Sequence, residues 1–132
     1  MSWGIFVQEI PADARTVDEI PADFRPSPIG QRSAIISKIK EVIPSADFND
    51  PSWGVIEGAD YSIEVNLGSD EEVTGFVFHV RGSEEAANVV ADILRHLGMR
   101  ALDSGTGGIF DYDRPSSGLE RWGRYRDQVV DG

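Results

Sequence analysis

Cysteine is absent from the 132-residue chain, so neither a disulfide framework nor a thiolate metal site can form. Histidine is scarce: His79 and His96 stand far apart, with no H-x-x-x-H spacing, and no acidic stretch has the alternating ligand spacing of a calcium loop. No metal and no cofactor are expected. Long apolar runs are missing as well; none approaches the roughly 20 residues that cross a bilayer. The opening MSWGIFVQEI lacks the basic start and apolar stretch of a secretion signal. The expectation is a soluble, cytoplasmic chain with no membrane partner.

Positive charge is scarce in one place. From Glu41 to Asp92 there are 12 acidic residues and one basic residue, Arg81, while the rest of the chain holds 11 of each sign. The formal net charge of −11 is therefore concentrated in that segment. Such a field repels nucleic-acid backbones and draws cationic partners, although negative charge also serves plain solubility.

What is present reads as one α+β domain over residues 1–113, followed by a basic, aromatic tail over residues 114–132. Trp3, Ile5 and Val7 alternate against Ser2, Gly4 and Gln8, which is strand periodicity. The pentapeptide EIPAD then occurs twice, at residues 9–13 and 19–23. Two copies at so short a spacing make no repeat architecture. Ile-Pro drives the backbone extended and Asp favours a turn, so each copy predicts the same kink, pegged by a buried Ile10 or Ile20. Asp13, Asp18, Glu19 and Asp23 would line the outside of the long 10–27 connection.

Ser27 and Pro28 suit a helix start, Ile35, Ile36, Ile39, Val42 and Ile43 recur at helical spacing, and Pro44 is a stop. Three strand-like runs follow: WGVIEG, DYSIEVNL and VTGFVFHVRG. In the last two, Tyr61, Ile63 and Val65 match Phe76, Phe78 and Val80, giving an antiparallel hairpin. SEEAANVVADILRHLG has a helix cap at Ser83, acids at its positive end and a closing Gly98. A short strand, a glycine-rich turn and a second short strand complete the domain. The order βαβββαβ predicts a ferredoxin-like sandwich, with two helices on one face of a mainly antiparallel sheet and the other face open.

The hairpin register brings Ser62 and Glu64 near His79 and Asp60 near Arg81 on that open face. A histidine beside a carboxylate is the minimum for proton transfer, so His79, Glu64 and Arg81 are the candidate catalytic residues of a small hydrolase or lyase. Nothing in the sequence adds a pocket or a bound substrate, and cross-strand ion pairs on a solvated face are the preferred reading. DSGTGGIFD offers amides for a phosphate, but no lysine follows its glycines and Asp103 and Asp111 flank it, so it reads as a hairpin turn. From Arg114 to Arg126 the tail carries four arginines and one glutamate around Trp122 and Tyr125. That composition suits nucleic-acid stacking, which the acidic body opposes; docking on the acidic face or on a second copy, and a disordered terminus, are the readings that stand.

The segments MSWGIFVQEIP, SWGVIEG with YSIEVN, FHVRG and LGMRALDSGTGGIFD resemble a group of small uncharacterised bacterial proteins across about residues 1–111. The resemblance implies a bacterial cytoplasmic origin and no particular activity. The leading expectation is a non-enzymatic, acidic binding protein that engages a basic protein partner, by analogy with immunity proteins, through Asp60, Glu64, Asp70, Glu71, Glu72 and Arg81. The rivals are the hydrolase or lyase at His79 and Glu64, and a structural protein that self-associates through the tail. No nucleic-acid partner is expected.

Overall fold

Apolar residues at every second position along four separate runs demand a sheet with at least one dry side. In the computed structural model, which describes residues 2–121, the chain runs through β1 (Trp3–Gln8), a 3₁₀ turn (Val17–Glu19), β2 (Gly30–Gln31), α1 (Arg32–Val42), β3 (Trp53–Glu57) and β4 (Tyr61–Asn66). It continues through β5 (Glu72–Val73), β6 (Gly75–Gly82), α2 (Glu84–Leu97), β7 (Ala101–Asp103) and β8 (Gly108–Ile109). Six of these strands join in the order β3-β4-β6-β1-β7-β8, and their pairings are antiparallel; β2 and β5 form a small ladder of their own. The class is α+β with a mainly antiparallel sheet, as the pattern predicted.

The β4–β6 hairpin keeps the expected apolar face, with Ile63 opposite Val80 and Val65 opposite Phe78, but Tyr61 stands opposite Gly82 and Ser62, not Asp60, opposite Arg81. Both rows continue into β1, where Trp3 faces Val80 and Ile5 faces Phe78. These side chains are fully buried, together with Ile39 of α1 and Val90, Ile93 and Leu94 of α2. At about 1.5–3 kcal/mol for each fully buried large apolar side chain, this shared cluster is the dominant favourable term.

α2 begins and ends where predicted. Ser83 occupies the cap position, but its hydroxyl donates to Asp60 Oδ1 at 2.9 Å instead of capping. Gly98 takes the left-handed conformation (φ +67°) that closes the helix. α1 starts at Arg32, later than Ser27 and Pro28 suggest, because the preceding backbone is drawn into a ladder. Ile29 N–H donates to the Val73 carbonyl at 2.7 Å, Gly30 pairs with Val73, and Arg32 N–H donates to the Glu71 carbonyl. Pro44 follows the helix immediately, as expected.

The repeated pentapeptide makes the same turn twice. Ala14 N–H donates to the Pro11 carbonyl and Phe24 N–H to the Pro21 carbonyl, each at 3.0 Å. The copies are anchored differently: Ile10 is buried, whereas Ile20 is only half-buried, so the expected second peg is partial. The first copy is gripped by Arg100, whose Nη atoms donate to the Pro11 and Ala14 carbonyls.

Candidate functional site

Strand pairing lays two kinds of row across the face opposite the core. One row runs Val55, Glu64, His79 and Gly4, with Glu57, Ser62 and Arg81 beside it. The other runs through all six strands as Trp53, Asn66, Val77, Phe6, Leu102 and Ile109. All but one of its members are apolar. Phe6 is 44% exposed and Trp53 38%, and Val77, Leu102 and Ile109 are half-buried. A cleft of 310 Å³ opens beside this row, lined in part by Phe6, Gln8, Asn66, Gly75 and Val77.

The sequence brought Glu64, His79 and Arg81 together correctly, yet their contacts do not assemble an acid–base pair. Glu64 Oε1 accepts from Arg81 Nη1 at 2.8 Å. His79 instead stacks on Trp53, with ring centroids 5.8 Å apart and planes inclined by 20°. His79 lines none of the better-formed clefts on the described surface. The hydrolase or lyase reading thus has a carboxylate already engaged by arginine and a histidine already engaged by tryptophan.

The other acidic candidates are dispersed. Asp60 lies at one end of β4, where it takes the Ser83 hydroxyl and not Arg81. Its approach to β6 depends on Gly82 (φ +111°), since a Cβ there would sit 2.4 Å from the Asp60 carbonyl. Asp70, Glu71 and Glu72 lie past the other end of β4, beside β2 and the start of α1. The two groups are separated by at least the length of β4, roughly 17 Å at about 3.3 Å per residue. They lie past opposite ends of β4 and form no single patch. Among the described residues no group of three or more His, Cys, Asp or Glu side chains converges as a metal set.

The glycine-rich turn holds an anion of its own. Asp103 is 3% exposed and occupies a core row beside Ile5; its Oδ1 accepts from Trp3 Nε1 at 2.7 Å and from Gly105 N–H at 2.8 Å. Gly107 N–H goes to the Asp103 carbonyl and Gly108 N–H to Thr106 Oγ1. The turn amides are therefore spent internally and offer no phosphate cradle. Burial raises the Asp103 carboxyl above its ordinary value, against the opposing effect of its hydrogen bonds. Gly118 closes the node, because a Cβ there would meet the Asp103 carboxylate at 2.1 Å, and Leu119 packs against the core. The tail thus joins the domain at residues 118–119. Trp122, Arg124, Tyr125 and Arg126, on which docking and self-association were expected to rest, lie outside the described residues.

Two features escaped the sequence reading. The apolar row had a signal in Phe6, Val77 and Leu102, large apolar residues at the positions that strict alternation reserves for polar ones. The Asp103 node had little, because its parts are about 100 positions apart. No helix among the described residues is long and apolar enough to cross a membrane. Comparison of the chain with protein-family models, with curated proteins and with solved structures gives no match.

Proposed function

We propose that the chain is a non-enzymatic binding protein whose exposed sheet face receives a basic protein partner with an apolar or aromatic centre. The carrying observation is the row from Trp53 through Val77 and Phe6 to Ile109, in which Trp53 and Phe6 are more than one-third exposed, with acidic groups past both ends of β4. Affinity in protein interfaces concentrates in central aromatic anchors, and rim charges set approach rate and salt dependence. Phe6 and Trp53 fit the first role. Asp60 on one side and Asp70, Glu71 and Glu72 on the other fit the second. We read the scaffold as a ferredoxin-like plan extended by edge strands, a reading supported by the run β7-β1-β6-β4 within the sheet.

The test is capture from lysate of the source cells on immobilised chain, at low and high salt, in parallel with a Phe6→Ser, Trp53→Ser variant. The expected result is a basic protein held by the parent chain at low salt, weakened by high salt, and lost from the variant. Equal capture by both proteins, or no capture by either, defeats the reading.

A further inference from the structure

A protein with a net charge of −11 carries one cleft rimmed by three arginines, Arg15, Arg95 and Arg100, around Tyr112. We propose that this 440 Å³ cleft binds a small molecule bearing an oxyanion, a phosphate or a carboxylate, on a flat apolar body. Its volume lies in the range of small-ligand sites, about 300–1,000 Å³.

Two of the three guanidinium groups, those of Arg95 and Arg100, are held in place by bonds that leave them short of counter-charge. Arg100, half-buried, gives Nη donors to the Pro11 and Ala14 carbonyls, which are neutral. Arg95, in the last turn of α2, lies over the Tyr112 ring at 5.6 Å and donates to the Tyr112 carbonyl at 2.8 Å. Tyr112 is fixed in turn by its hydroxyl, which donates to the Met99 carbonyl. Arg15 follows directly on the turn that Arg100 grips. Among the described residues neither Arg15 nor Arg100 has a carboxylate within 4.0 Å of its guanidinium; Glu19 accepts from the Arg15 backbone N–H instead.

Two aspartates share the rim and do not satisfy the arginines. Asp113 approaches Arg95 only to 3.9 Å with a side chain 94% exposed, a pairing worth little in water. The Asp111 carboxylate is turned back to accept the Asp113 N–H at 2.9 Å. Each guanidinium carries five N–H donors in a planar fork that matches carboxylate and phosphate oxygens, and most of those donors meet no acceptor among the described residues. The tyrosine ring and Ile109 supply an apolar floor. Clamping the first EIPAD turn accounts for Arg100 alone; it accounts for neither Arg15 nor Arg95. Preorganised donors lower the ordering cost of binding. The acidic body repels anions at long range, so saturable anion binding at one place would report this cleft and no general attraction.

The experiment titrates phenyl phosphate and, separately, benzoate into the full chain, following arginine Nε–H and backbone amide resonances. Expected are saturable shifts confined to the three arginines and residues 109–113 with at least one probe. The probe that saturates first identifies the preferred oxyanion. Arg15→Gln and Arg95→Gln should each weaken that binding about tenfold, the worth of one charge-assisted hydrogen bond. Arg15 makes no described side-chain bond within the fold, so its variant keeps the test meaningful if Arg95→Gln unfolds. No saturable shift with either probe up to about 10 mM, or saturation unchanged by Arg15→Gln, overturns the proposal.

Discussion

Each face of the sheet holds a carboxylate in a cross-strand bond of nearly the same length, and the two bonds differ in almost everything else. On the core face, Asp103 accepts from Trp3 Nε1 at 2.7 Å and is 3% exposed. On the open face, Glu64 accepts from Arg81 Nη1 at 2.8 Å, with the two side chains 29% and 49% exposed. Asp103 meets neutral N–H dipoles in a place water does not reach, whereas Glu64 meets a full positive charge in a place water does. Distance therefore says little about worth; the surroundings decide what replaces a bond once it is broken. For Glu64 the replacement is water, and for Asp103 there is none. The contrast also bears on function, because a face whose polar and apolar groups both tolerate water is one that a partner can dry.

The largest expected difference comes from two phenylalanines on neighbouring strands. Phe78 lies in the core row opposite Ile5, and Phe6 lies on the other face opposite Val77. Phe78→Ala should destabilise the fold by about 3–5 kcal/mol, through lost transfer energy and the cavity left behind. Phe6→Ala should stay within about 1 kcal/mol, since its ring is already 44% exposed. Urea denaturation midpoints measure both. Comparable losses would mean that the face bearing Phe6 is covered in the free chain, and the proposed docking surface would have no vacancy to offer.

An intermediate effect is expected at Asp103. Trp3→Phe keeps an aromatic ring in the core but removes one N–H donor from a buried carboxylate, at a cost of about 1–3 kcal/mol near neutral pH. The pH dependence has a definite sign. Because burial raises the folded-state value, the native chain binds this proton more tightly than the unfolded chain does. The resulting stability is fully present below the unfolded value and is lost as pH rises through the folded one. Asp103→Asn removes the ionisation and should leave a variant whose stability relative to the parent increases across that window. Unfolding curves at about pH 4 and about pH 7 test it, and a constant difference would mean that burial does not govern this group.

How much of this was legible in the sequence depended on separation along the chain. The shared apolar face of β4 and β6, the α2 boundaries and the duplicated turn all rest on neighbours or on two adjacent strands, and each follows from spacing and turn chemistry. The late start of α1 does not, because Ile29 and Gly30 are captured by Val73, more than 40 positions away. Asp103 looked like the flank of a loop until Trp3 and Gly118 closed around it. The candidate site was half legible. Glu64, His79 and Arg81 were placed together from alternation alone, but Trp53 claimed the histidine through a stacking contact that no pairing rule contains. The apolar row was visible as breaks in alternation, although only the full strand order could align Trp53, Val77, Phe6 and Ile109 into one line.

The smallest expected effect is at Glu64 and Arg81 themselves. Holding two long side chains in one geometry costs rotamer entropy, and the attraction gained is weakened by solvent on both partners, so exposed pairs of this kind contribute about 0.2–1 kcal/mol. A double-mutant cycle with Glu64→Gln and Arg81→Gln should give a coupling in that range in the free chain, reduced further by added salt. The measurement sharpens the comparison with Asp103 because it asks whether the open face is wet in the folded protein. A coupling above about 2 kcal/mol that resists salt would require a desolvated pair, and hence something seated over His79, Glu64 and Arg81 already. A small, salt-sensitive coupling leaves the pair solvated, as the proposed docking surface requires of its rim.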